Sequence, residues 1–173
     1  MDIEAFNRQI SATTEKLLRH CNCCEIRVMR GLWPKGATIS EALKVTFGPE
    51  FVPDQCDEKS LDEMIEDVIS YLKYEVSGES SRLGYSYVDN SESFSESDVR
   101  KLITDFFSNA LKIYRLKVSY FWAEGDPPAS GYYMEKVPKG EFRVYPGGWN
   151  FEYFILSEAG IYVLYGAYGD GYV

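Results

Sequence analysis

Residues 150–165 read Asn150-Phe151-Glu152-Tyr153-Phe154-Ile155-Leu156-Ser157-Glu158-Ala159-Gly160-Ile161-Tyr162-Val163-Leu164-Tyr165, and their reading decides the fold. Two runs of aromatic and aliphatic residues flank a short polar break that ends in glycine, the pattern of two strands joined by a turn. On the first run Phe151, Tyr153 and Ile155 fall on one side, and Glu152, Phe154 and Leu156 on the other. Ile161, Val163 and Tyr165 alternate with Tyr162 and Leu164 in the same way. A strand that is apolar on both sides is either central and covered twice, or offers one side to another protein.

The period of two extends upstream. Leu116, Val118, Tyr120 and Trp122 alternate with Lys117, Ser119 and Phe121. After the Gly125-Asp126-Pro127-Pro128 loop come further short runs at 131–137 and 140–145. The breaks at 138–140, 146–149 and 157–160 predict an antiparallel meander of at least four strands over residues 112–168. Residues 166–173, rich in glycine, read as a loose tail.

Upstream of about residue 112 the period is helical. Phe6, Ile10, Thr14, Leu17, Leu18 and Cys21 predict an amphipathic helix over 3–21. Residues 25–33 read as a strand, ended by Gly31 and Pro34. Thr38-Ile39-Ser40-Glu41 is a capping box that opens a helix closed by Gly48 and Pro49. Residues 49–59 read as a loop. Ser60-Leu61-Asp62-Glu63 is a second capping box and opens a helix over 60–75, with Leu61, Ile65, Val68 and Leu72 as its apolar stripe. Residues 78–97 form a polar connection, with room for a strand at 83–88. A last helix runs from Glu96 to about Leu111, with Val99, Leu102, Ile103, Phe106 and Ala110 inward. The expectation is one α+β domain over 1–173, its N-terminal and central helices packed on a C-terminal antiparallel sheet.

Charge is concentrated. Glu50, Asp54, Asp57, Glu58, Asp62, Glu63, Glu66 and Asp67 set eight carboxylates against Lys59 alone, in a chain of net charge −9. Asp62/Glu66 and Glu63/Asp67 are like-charged pairs one turn apart, which cost an isolated helix a few tenths of a kcal/mol each. The helix dipole offsets part of that cost in the first turn. A solvated helix side accounts for such a pattern. A docking surface does so too, since concentrated carboxylates attract a basic partner at long range. As a docking surface, Asp62, Glu63, Glu66 and Asp67 must lie exposed, opposite the apolar stripe, and must not be internally paired with Lys or Arg. With Asp57 and Glu58 they are the candidate partner-binding acids. Trp149 and Tyr153 are the candidate aromatic anchors, because Trp and Tyr dominate interface hot spots.

The totals narrow the class. At 173 residues the chain suits one domain that buries about 70 % of its unfolded surface. Hydrophobic content of 45 % and charged content of 26 % are those of a globular protein. The acidic balance argues against binding nucleic acid or an anionic membrane. No apolar run reaches the length of a membrane span, and Met1-Asp2-Ile3-Glu4 lacks the features of a signal peptide, so the expected location is the cytoplasm.

Candidate chemistry is sparse. His20-Cys21-Asn22-Cys23-Cys24 holds metal-ligand residue types, but Cys56 is remote and no second chelating pair occurs. A helix end with buried, reduced and metal-free thiols is the expectation. His20 is the sole histidine, and neither a Gly-x-Ser-x-Gly elbow nor a phosphate loop is present. A pair of carboxylates could serve hydrolysis, but twenty-seven acids make such a pair unspecific. No catalytic residue and no cofactor is assigned.

Glu141-Phe142-Arg143-Val144-Tyr145-Pro146, then Asn150 to Ser157, then Ile161 to Tyr165 resemble the closing strands of small acidic bacterial proteins of the toxin-immunity type. In those proteins a Glu-Tyr-Phe-Ile strand leads through a short turn into a final aromatic strand. The resemblance covers about thirty residues and implies a cytoplasmic, non-enzymatic α+β protein that binds and blocks a cognate toxin. The acidity would match a basic nuclease surface. Two other readings stay open: an acidic mimic of nucleic acid that occupies a DNA-binding protein, and an enzyme with a carboxylate site.

Overall fold

A computed structural model describes residues 1–18, 25–49, 51–53, 55–72, 94–117 and 151–167. In chain order the elements are α1 (Ile3–Leu18), β1 (Glu25–Arg30), α2 (Ile39–Phe47), β2 (Gln55–Glu58), α3 (Leu61–Ser70), α4 (Glu96–Phe107), β3 (Ala110–Lys117), β4 (Phe151–Ser157) and β5 (Gly160–Ala167). The strands make one sheet in the order β1-β5-β4-β3-β2, and every pairing is antiparallel. The fold is α+β. β3, β4 and β5 lie side by side in chain order, and the N-terminal half supplies both edges.

Both sides of the central hairpin are covered. Ile26, Val28, Ile113, Tyr153, Ile155, Tyr162 and Leu164 pack under α1, α3 and α4. Leu116, Phe154, Val163 and Tyr165 face Ala42, Leu43 and Phe47 of α2 together with Phe51. The doubly apolar reading of 151–165 therefore resolves in favour of central strands, with helices above and below. Phe6 of α1 and Phe106 of α4 meet with ring centroids 4.6 Å apart, and Trp33 stacks on Phe154 at 5.7 Å.

Local chemistry sets the boundaries. In α2 the Thr38 hydroxyl accepts from the Glu41 N–H at 3.3 Å, and Glu41 accepts from the Thr38 N–H at 2.7 Å. In α3 the Glu63 N–H reaches Ser60 Oγ at 3.1 Å, and the Ser60 N–H reaches Glu63 at 2.8 Å. Both boxes satisfy donors that the helix start would otherwise orphan. Ser157 and Gly160 are cross-strand partners, so the β4–β5 turn is Glu158-Ala159, as the sequence predicts. Gly160 has φ +144°, and an added Cβ would sit 2.5 Å from the Arg30 guanidinium. Gly160→Ala should cost about 1–3 kcal/mol, read from the urea midpoint at unchanged slope.

Four boundaries differ from expectation. Residues 55–58, expected as loop, are the edge strand β2; an edge strand buries few side chains, and only Cys56 packs inward here. α4 ends at Phe107 rather than Leu111, because Ala110 already pairs with Ser157. β1 ends at Arg30, short of Trp33. β5 continues through Gly166 and Ala167, within the 112–168 span expected as sheet, so the tail read from residue 166 cannot begin there, because both residues pair with β1. The expected strands at 83–88 and 118–145, the turns at 138–140 and 146–149, the His20–Cys24 cluster and the end of the tail lie outside the described residues.

The two sheet edges are managed differently. At β1, Asn7 of α1 donates from Nδ2 to Val28 O at 2.9 Å and accepts from the Val28 N–H at 2.8 Å. A side-chain amide thus replaces a neighbouring strand at that point. Beside it lies a cavity of about 430 Å³ lined by Asn7, Arg8, Ser11, Ile26 and Arg27. At β2 the edge carries Asp57 and Glu58, both exposed.

Candidate partner-binding surface

Asp57 and the candidate acids of α3 come together where β2 and α3 flank β3. Asp57 stands opposite Arg115 in the β2–β3 ladder, and Arg115 ion-pairs with Asp67 of α3 at 3.1 Å. Lys59, between β2 and α3, reaches Glu63 at 3.3 Å. The fold thus brings Asp57 of β2 to the α3 side of the sheet, beside the helix acids, while Glu58, the next residue along the strand, faces the opposite side. Asp62, Glu63 and Glu66 are exposed, while Met64, Ile65, Val68 and Ile69 are buried beneath them.

The surface is not the unpaired acidic side that a docking helix was expected to offer. Glu58 binds Lys112 at 2.7 Å. Glu66 takes Arg100 in a two-pronged contact at 2.7 and 3.0 Å, and the same guanidinium also binds Glu96 at 2.8 Å. Glu63 is occupied as the N-terminal cap of α3. The Ser60 backbone N–H and then the Ser60 hydroxyl and Lys59 hold its carboxyl below the usual range. Asp57 and Asp62 have no ion-pair partner among the described residues. The cations come from Lys59 and, across the fold, from Arg100, Lys112 and Arg115, the last three far away in sequence. The exposed pairs contribute little to stability, typically under about 1 kcal/mol each. They do neutralise much of the local charge.

Asp67 turns inward. Its Oδ2 accepts from the Tyr153 hydroxyl as well as from Arg115. Tyr153 is 0 % exposed, so it is a core residue and presents nothing to a partner here. Burial, followed by the hydrogen bond to Asp67, pushes its phenol well above the ordinary range, which keeps it a donor. The expected aromatic anchor is corrected accordingly: alternation placed Tyr153 on one side of β4, and that side is roofed by α3. Trp149 lies outside the described residues.

No protein-family model, curated protein or solved structure matches the chain. The strand resemblance to immunity-type proteins therefore gains no further support.

One residue escaped the sequence reading. Glu152 sits on the α2 side of β4, with Leu116 and Tyr165 as its cross-strand neighbours. It is 6 % exposed and makes no hydrogen bond among the described residues. Burial alone lifts its pKa to about 7. The only sequence signal was an acid inside an otherwise apolar run. Among the described residues no His, Cys, Asp or Glu group is arranged to hold a metal ion, and no helix is long and apolar enough to cross a membrane.

Proposed function

We propose that the chain is a non-enzymatic binding protein of the immunity or inhibitor kind. Acting in the cytoplasm, it would cover a basic surface of a protein partner, a toxin on the reading that the strand resemblance implies. The observation that supports this best is the meeting of Asp57 of β2 with the acids of α3 on one exposed side of the sheet, with Asp57 and Asp62 left outside its ion pairs. Carboxylates on such a rim act mainly on encounter rate, and occlusion follows from the contact itself. The mimic of nucleic acid fits less well. A mimic needs an even array of anions, whereas Glu58, Glu63, Glu66 and Asp67 each carry a Lys or Arg.

The test uses Asp57→Lys with Asp62→Lys, positions that have no described ion pair to lose. Crosslinking in the source cell identifies the partner, and stopped-flow mixing measures association. The expected partner is basic, and the double variant should associate about tenfold more slowly at low salt, with a flatter salt dependence. An acidic partner, or an unchanged rate at low salt, overturns the proposal.

A further inference from the structure

The outer edge of β2, which no described strand covers, has a defined hydrogen-bonding register. Lys59 N–H donates to Ile113 O at 2.8 Å just beyond the strand end. In an antiparallel ladder the bonded pairs alternate, so Asp57/Arg115 and Gln55/Lys117 are the pairs that exchange bonds. Cys56 and Glu58 therefore turn their N–H and C=O groups away from β3. The same alternation, carried across the sheet, turns Val28 outward on β1, where Asn7 meets it. At Val28 the β1 edge is thus closed by its own helix. The other presents two outward peptide groups, and these make no hydrogen bond among the described residues.

We propose that this edge takes an extended, Lys- or Arg-bearing segment of the partner as an added strand. The proposal rests on the charged-surface reading above and adds the mode of binding. Main-chain bonds to Cys56 and Glu58 would supply the register, and alternate side chains would supply specificity. Charge complementarity selects the occupant. Asp57 lies on the α3 side of β2, and Glu58 lies on the opposite side. A second copy of this chain, paired antiparallel, would set either Asp57 against Asp57 or Glu58 against Glu58, and each like-charged pair opposes self-pairing. A basic strand meets Asp57, which has no described ion pair, on the α3 side, while Glu58 on the other side is already held by Lys112.

The probe is a short synthetic peptide of alternating Lys and Val, in three forms: unmodified, N-methylated at every Lys, and N-methylated at every Val. In a strand, the amides that face β2 all come from one of these two residue types. One methylated form should therefore lose about tenfold or more in affinity, the effect of two missing hydrogen bonds, while the other binds like the parent. Amide exchange gives a second readout. In the free protein Cys56 and Glu58 should exchange fast and Asp57 slowly, and the peptide should protect Cys56 and Glu58. Equal affinity of the two methylated forms, or Cys56 and Glu58 already protected in the free protein, overturns the added strand. It leaves the charge reading standing if the parent peptide still binds more weakly to the Asp57→Lys, Asp62→Lys variant. Parent binding that ignores those two substitutions overturns the charge reading instead.

Discussion

Glu152→Gln should remove a pH dependence of stability worth about 3 kcal/mol, expressed between pH 4.5 and about 7. The cause is burial. In the unfolded chain Glu152 ionises with a pKa near 4.5, and in the fold it resists ionisation until about 7. The folded value is the higher one, so the contribution is fully present below pH 4.5, is lost as pH rises through 7, and stays lost above it. Tyr165 and Leu116 flank the carboxyl across the sheet, and Arg27 and Cys56 stand one strand further out in the same row. No described cation lies next to it to recover the cost. Glutamine keeps the shape and carries a polar penalty that does not vary with pH. Urea titrations at intervals from pH 4 to 8 should give wild-type and variant curves that diverge across this window. Parallel curves would show that Glu152 is ionised and satisfied in the fold.

What the sequence made legible follows from the range over which each signal acts. Capping boxes are local, so Ser60 with Glu63 and Thr38 with Glu41 located two helix starts directly. The β4–β5 turn is local too, and its glycine marked it. The doubly apolar runs stated that β4 and β5 are covered twice or shared, and packing against α2 on one side and α1, α3 and α4 on the other chose between these. β2 escaped because an edge strand needs only one inward side chain, Cys56, and a single half-buried residue sets no period. The ion pairs escaped for a different reason. Lys112 and Arg115 sit on β3, Arg100 sits on α4, and nothing near Glu58, Glu66 or Asp67 in the sequence announces them. A local count of acids therefore overstated how much bare charge the surface carries.

Tyr153 belongs to the core beneath α3 and not to an interface, and its truncation should show it. Were Tyr153 an interface anchor, truncating it would change stability by no more than about 0.5 kcal/mol and would cost binding. Buried as it is, Tyr153→Ala should cost about 3–5 kcal/mol, because it opens a cavity between β4 and α3. Tyr153→Phe keeps the ring and removes the donor to Asp67. Asp67 retains Arg115 at 3.1 Å, so the loss should be that of one charge-assisted hydrogen bond, about 1.5–3 kcal/mol. The two substitutions together separate packing from polarity. A loss for alanine no larger than that for phenylalanine would mean that the ring is not packed as described. A loss for phenylalanine near zero would mean that the Asp67 contact is not made in solution. In either event the surface around Arg115 would be looser than the geometry states, and Asp67 would return to the set of carboxylates open to a partner.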